Sequence, residues 1–464
     1  MIFIFSKKNT IMGISKKTFT IIAILAMADV LVMAVPFYLK NVISSVVISE
    51  SLGILPSQFS QANSIYGYVS LPSYFIGGWF ADKISLKKLT LVGLASIGVV
   101  GLWYGFIPFI ATAKVIQVYL IFALWSFITC FIFWAALWKL LSEQGKPEEN
   151  GKLNGIHGSL NGLIGTIIIA IAYLVFFLFG TVWKSSLGNW AFPALVFIFT
   201  GFIIINCVLI FFFVPEDKTT KKDGESDFSL KSFKNILGNW KIWLVSILIL
   251  GVYLYQSGLS IFVTYMQDVL LITASLVVVF GILRTYLFRF FFSTYFGKMA
   301  DKSQKYILFI IIGLAVASVL CLIAVIVPGF GESSFTNMSK GSKTLVQISV
   351  VTMYLGLGIT CWALVTNRWA TIYVINISQK DYGMAVGFIS LIAFSADAWF
   401  WQIDSILLKN LGSEAGYTDN KLANQISIII ILCFGLLAMI AGGILIYATK
   451  KEIQRNEGKQ VLAN

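Results

Sequence analysis

What most constrains this chain is a recurrence: apolar stretches of twenty residues or more return along its 464 residues, separated by short polar breaks. A helix of about 20 apolar residues crosses the ~30 Å hydrocarbon core of a bilayer. Candidate spans fall at 18–45, 58–81, 87–109, 115–141, 153–179 and 190–214, then at 242–267, 273–299, 305–328, 345–376, 384–408 and 425–449. The polar stretch from Pro215 to Trp240 divides them and carries Glu216, Asp217, Lys218, Lys221, Lys222, Asp223 and Glu225. The organisation expected is a cytoplasmic N-terminal segment (1–17), a six-helix bundle (18–214), a cytoplasmic linker (215–241), a second six-helix bundle (242–449) and a cytoplasmic tail (450–464). Charged residues make up 12% of the chain, against about 25% in a soluble domain. Most of the surface must therefore face something other than water. The run after Lys16 and Lys17 exceeds a signal-peptide core, carries Asp29 and lacks a small-residue cleavage site, so it reads as a span.

A net charge of +13 would raise nucleic acid as a partner of a soluble protein. Here the basic residues lie in loops between apolar runs, which makes them topology signals instead. With both termini cytoplasmic, 24 of the 34 Lys and Arg fall inside and seven outside (Lys40, Lys114, Lys184, Lys340, Lys343, Lys409 and Lys421). The other three, Arg284, Arg289 and Arg368, fall within spans. That excess predicts an inner or plasma membrane protein with both ends in the cytoplasm. The five cysteines lie in apolar stretches without a C-x-x-C pair, and His157 is the single histidine, so neither a disulfide framework nor a metal or other cofactor is expected. The chain has no G-x-x-x-x-G-K-S/T loop, which argues against ATP-driven transport.

The two halves share a motif. Gly78-Trp79-Phe80-Ala81-Asp82-Lys83 closes the second span, and Gly297-Lys298-Met299-Ala300-Asp301-Lys302 closes the eighth, 219 residues later. Parallel six-helix repeats are a recurrent transporter architecture. With Lys87 and Lys88, the first copy resembles the cytoplasmic signature of the major facilitator superfamily, although Ser85 replaces a glycine and Leu86 a basic residue. The resemblance implies an all-α membrane protein of twelve transmembrane helices in two pseudo-symmetric halves. It also implies that Gly78, Asp82, Lys83, Gly297 and Asp301 form a conformational latch. Two further stretches resemble the YihN-like bacterial branch: Phe133-Trp134-Ala135-Ala136-Leu137-Trp138-Lys139 with Gly151 to Gly155, and Arg368-Trp369-Ala370-Thr371-Ile372-Tyr373 with Gly383 to Gly387, Ser390 and Asp397. That branch is similar in turn to organophosphate and organic-anion carriers, in which a basic residue on helix 1 contacts the anion; Lys40 is the nearest match.

An ionisable group at the bilayer centre costs roughly 2.5–3.5 kcal/mol on insertion scales, so each invites a functional reading. Arg284 stands near mid-depth, where snorkelling is difficult, and a guanidinium there suits a carboxylate, sulfonate or phosphate. A structural pair with Asp29 or Asp397 would satisfy it equally. Arg289 is five residues on, about 140° round the helix, so the two cannot face one cavity squarely; structural pairing fits Arg289 better. Arg368, Lys40, Tyr66, Tyr253, Tyr255 and Gln256 complete the candidate substrate contacts, with packing as the plain alternative for each tyrosine. A carboxylate held out of water can take up and release a proton near neutral pH, which makes Asp29 and Asp397 the candidates for proton coupling. Gly155, Gly158, Gly162 and Gly165 share one helix face and suit close packing.

The reading that follows is a monomeric secondary transporter, not an enzyme, that moves a small organic anion through the lipid bilayer by alternating access, by symport with protons or as an antiporter. A transporter-like sensor and a lipid-modifying membrane enzyme are the alternatives. The enzyme would want clustered polar residues at one membrane face, and none stands out.

Overall fold

The computed structural model describes residues 10–11, 14–80, 84–145, 150–216, 230–331, 335–375 and 379–463. It is a bundle of long helices with one two-residue strand pair, Thr10–Ile11 against Ile14–Ser15, ahead of the first. Eleven helices among the described residues are long and apolar enough to cross a membrane. In the first half these are α1 (Lys16–Asn41), α3 (Leu86–Phe109), α4 (Lys114–Ser142), α5 (Gly155–Val182) and α6 (Lys184–Phe213). In the second they are α7 (Trp240–Val269), α8 (Ala274–Ala300), α9 (Tyr306–Ile326), α10 (Lys340–Ile372), α11 (Ala385–Ala415) and α12 (Lys421–Lys451). The twelfth, α2 (Pro56–Phe80), is 25 residues long but more polar. Its Ser57, Ser60, Asn63, Ser64, Ser70 and Ser73 are all buried. These polar side chains are covered by protein, since α2 packs along α11 of the other half, while Tyr68 and Ile76 of the same helix stand exposed.

Two expected boundaries move. The first span ends at Asn41, and a separate helix, Ser45–Leu52, starts where the Ser44 hydroxyl accepts the Val46 N–H. Within the expected linker, Leu230–Gly238 is helical, and its Ile236 is buried. Its neighbours at 217–229 lie outside the described residues.

Each half has its own apolar core. One gathers residues such as Leu25, Leu94, Phe122, Phe133 and Phe199; the other gathers Leu248, Phe262, Leu314, Tyr354 and Ile431. The cores interleave at two helices: Met33 and Phe37 of α1 join the second, and Val278 and Tyr286 of α8 join the first. Large apolar side chains such as Val99, Ile116, Phe212, Leu345 and Ile440 stand exposed. Their number is far above that of a soluble surface and is the face lipid requires.

The halves meet along α2–α11 and α5–α8. Glycines make the approach close. A Cβ on Gly67 would lie 2.0 Å from the Asp397 carbonyl carbon, one on Gly281 would lie 2.5 Å from the Asn41 carbonyl oxygen, and one on Gly162 would lie 2.7 Å from the Tyr286 carbonyl oxygen. Gly165 packs against the Tyr286 ring. The helix-5 glycine stripe is thus a contact at Gly162 and Gly165 only; Gly155 and Gly158 face open space within 4 Å.

With twelve alternating spans, α1 begins and α12 ends at one end of the molecule. At the opposite end, hydroxyls of the first half bond to carboxylates of the second. Ser44 donates to Asp268 (2.7 Å), Ser57 to Glu414 (2.5 Å) and Ser60 to Asp404 (2.6 Å). The Ser64 hydroxyl donates to the Ala398 carbonyl (2.6 Å) beside them. Of the motif residues, Gly78 and Gly297 lie in the closing turns of α2 and α8. Asp82 and Lys83 lie outside the described residues, as does the side chain of Asp301.

Candidate functional site

Charges of α1, α8 and α10 converge midway along the seam around Gln256 of α7. Arg284 sits on a wide turn of α8, Leu283–Leu287, and is 3% exposed. Its guanidinium donates to the Gln256 backbone carbonyl (2.9 Å). That carbonyl is available because Gln256 lies in the last turn of the helix Trp240–Gly258, where carbonyls lose their intrahelical partners. The carbonyl of Arg284 itself accepts the Trp362 indole N–H (2.6 Å). Wide turns of this kind recur at functional sites because they release backbone groups from the ladder.

Arg368 approaches from α10 and donates to the Gln256 side-chain oxygen (2.8 Å), so one glutamine holds two guanidiniums. The Arg368 guanidinium is 5.7 Å from the Trp369 ring and 5.4 Å from that of Phe394, and its Nε is buried without a partner. Arg289 donates to the Asn161 side-chain oxygen of α5, and the Asn161 amide donates to Asp29 (2.6 Å). Asn161 therefore stands between the Arg289 cation and the Asp29 carboxylate. Tyr38, edge-on to Tyr286 at 5.9 Å, lies in the fields of Arg284, Arg289, Arg368 and Asp29. Among the described residues none of the three arginines forms an ion pair with a carboxylate.

A second group lies towards the end remote from the chain termini. Asp397 accepts from Tyr253 (2.5 Å) and Ser257 (3.1 Å), both on α7. Lys40 is buried, donates to Asn63 (2.6 Å) and stands 3.8 Å from the Trp401 ring centre. Asp404 accepts from Ser60 (2.6 Å) and Ser427 (2.9 Å).

Several sequence expectations change at this level. Lys40 is enclosed by protein rather than set in an outer loop. Tyr255 does not reach the seam: its hydroxyl shares a hydrogen bond with Ser318 of α9 (2.9 Å) and packs on Gly435, inside the second bundle, because α7 turns that face towards its own half. Tyr66 is buried with its hydroxyl unpartnered, on a helix whose carbonyl at that residue accepts from Ser126 of α4. Arg284 pairs with neither Asp29 nor Asp397. Arg284 and Arg289 reach different helices, as their angular separation requires. Asn161, Asp404 and Tyr38 are central residues that charge-spotting overlooks. The interval of seven residues from Asp397 to Asp404, two helical turns on one face, is the signal that points to Asp404. Asn161 is a polar residue inside the glycine stripe.

A family model for the Major Facilitator Superfamily matches residues 19–400. The chain belongs to the major facilitator superfamily. This facilitator is thus a multi-pass membrane transporter that takes a small-molecule substrate within the membrane. It is 32% identical to the "Uncharacterized protein MG294 homolog" of Mycoplasma pneumoniae, over 97% of this chain and 96% of that one. It is 26% identical to the "Inner membrane protein YihN" of Escherichia coli, over 55% of this chain and 59% of that one. It is 23% identical to the "Inner membrane protein YqcE" of the same organism, over 84% and 87%. A crystal structure of a bacterial homolog of the human lysosomal transporter Spinster, inward-facing and unoccupied, superimposes with a TM-score of 0.61 at 13% identity, over 94% of this facilitator and 96% of that chain. That likeness is one of fold.

Proposed function

We propose that this facilitator carries a small organic anion, a sugar acid, sulfonate or phosphate ester, by alternating access between its two halves. The observation that carries the reading is the unbalanced charge in the seam: Arg284, Arg289 and Arg368 converge on Gln256 and Asn161, with Asp29 as their carboxylate neighbour. Uncompensated buried charge is strongly unfavourable. An anion held by the Arg284 and Arg368 forks would relieve it, and planar guanidiniums bind oxyanions bidentately.

Coupling is to protons, through Asp29 or Asp397, or to exchange for a second anion. Asp29 is suited because its one hydrogen bond comes from Asn161, which also holds Arg289; a change of charge on Asp29 is felt at the arginine through one side chain. The facilitator works as a monomer in the inner or plasma membrane; both termini are cytoplasmic, a reading supported by 24 basic residues on that side against six outside once the enclosed Lys40 is set apart. The two Gly-x-x-Ala-Asp-Lys turns latch the cytoplasmic side.

Purified protein in proteoliposomes, offered labelled candidate anions, tests this reading. Arg284→Ala is expected to lower uptake by at least tenfold, roughly the value of one charge-assisted hydrogen bond of about 1.5–3 kcal/mol. Equal rates would remove Arg284 from the site. Collapsing the proton gradient abolishes accumulation in a symporter and spares exchange. Concentrative uptake by Asp29→Asn under a proton force would exclude Asp29 from coupling.

A further inference from the structure

The seam divides its charges unequally along its length. Midway lie three arginines and Asp29; towards the end remote from the chain termini lie Asp397 and Asp404, with Lys40 as the cation whose field reaches both. Asp268 and Glu414 add carboxylates at the same end, each accepting from a serine rather than from a cation. Lys421, also at that end, is committed elsewhere, to the Pro328 carbonyl (3.0 Å). Within the seam, then, the two buried carboxylates Asp397 and Asp404 share the field of one lysine.

A small cavity lies at that place. It measures about 10 Å³ and is lined by Ser45, Ser60, Thr264, Trp401, Asp404 and Asn424. That is close to the volume needed for a single water-sized occupant, about 10–15 Å³. Asp404 accepts one hydroxyl at each oxygen, an arrangement for the ionised, acceptor-only form, which keeps lone pairs in reserve on both. Asn424 is 2% exposed, and its amide nitrogen is buried without a partner. Turning the amide by half a revolution presents its oxygen in the nitrogen's place at no steric cost.

We infer that this cavity binds a single sodium ion, held by Asp404, the Ser60 and Thr264 hydroxyls and the Asn424 amide oxygen. A water would fill the same space but leave the negative charge. The donors are one carboxylate and neutral oxygens, which suit a hard cation. A divalent ion or a transition metal would want more anionic or nitrogen donors; among the described residues no group of three His, Cys, Asp or Glu gathers anywhere. The ligands come from both halves, Ser60 from α2 and Asp404, Thr264 and Asn424 from α11, α7 and α12. The ion therefore favours closure of this end. Ion sites built from helix breaks and side-chain oxygens between repeats are a recurrent transporter solution. The site does not depend on the anion reading.

The purified full-length protein in detergent is melted in sodium chloride, potassium chloride and choline chloride at equal ionic strength, with no organic substrate. The expected result is a sodium-specific rise in Tm that saturates with concentration and disappears in Asp404→Asn. Equal Tm in the three salts would overturn the site, as would an undiminished sodium shift in Asp404→Asn. Should Asp404→Asn not fold, Asn424→Ala is the second variant, expected to weaken binding of radioactive sodium to the protein by about tenfold (1.4 kcal/mol); unchanged binding overturns the proposal. A sodium shift in a protein that transports none of the anions offered would retain this site and discard the anion.

Discussion

Asn161 shows what a single amide can do in a low-dielectric seam. It accepts from Arg289 and donates to Asp29 (2.6 Å), so two opposite charges on different helices share one neutral partner. Replacing it by leucine, of similar volume, removes both hydrogen bonds at once and leaves two charged groups buried. Asn161→Leu is expected to destabilise the protein by about 2–3 kcal/mol, seen as a lower Tm in detergent; an unchanged Tm would mean that the amide bridges nothing of consequence. At this scale the sequence was only partly legible. Asp29, Arg284, Arg289, Arg368 and Asp397 announced themselves, because an ionisable residue inside an apolar run is conspicuous; Asp404, near the end of its span, did not. Its partner did not, because partners are set by helix rotation and by local breaks such as the end of the helix Trp240–Gly258. Tyr253 and Tyr255 make the point: two residues apart in the same bundle, one bonds to Asp397 of α11 at the seam, the other to Ser318 of α9 away from it.

At the scale of elements, α2 carries the most information. Its serines and asparagine made it the least apolar span, and the reason is its neighbour: Ser57, Ser60 and Ser64 bond to Glu414, Asp404 and the Ala398 carbonyl across the seam. Gly67 brings the two backbones into touch, since a Cβ there would lie 2.0 Å from the Asp397 carbonyl carbon. Backbone cannot yield as a side-chain tip can. Gly67→Ala is therefore expected to wedge α2 from α11 at an overpacking cost of about 1–3 kcal/mol. A cysteine at Ser57 would then be labelled by a membrane-impermeant thiol reagent at least several times faster than in the Gly67 background; equal rates would show that the contact is slack. The breadth of the helices was readable from composition, but their irregular turns were not. The wide turns at Ala34–Tyr38 and Leu283–Leu287 lie beside the charges, and hydropathy has no term for them.

For the whole molecule, the repeat was the most legible feature. Two matched turns 219 residues apart and six spans on either side of a polar break define the architecture without any tertiary contact. What the pattern could not convey is how the halves exchange helices, with α1 entering the second core and α8 the first. Orientation is the prediction that belongs here. In intact cells, cysteines placed at the exposed positions Lys184 and Lys340 are expected to react with an impermeant reagent, and one at Lys450 to react only after the membrane is opened. The reverse pattern would invert the assignment of both termini. The contact at Gly67 has a mechanical meaning at this scale. Helix α2 runs about 17 Å to one side of it and about 20 Å to the other, at 1.5 Å per residue. Surfaces pressed together with no side chain between them cannot slide, but they can tilt. Under the proposed alternating access, Gly67 is a fulcrum with nearly equal arms, and parting the serines from their carboxylates at one mouth swings the opposite mouth shut by a similar distance.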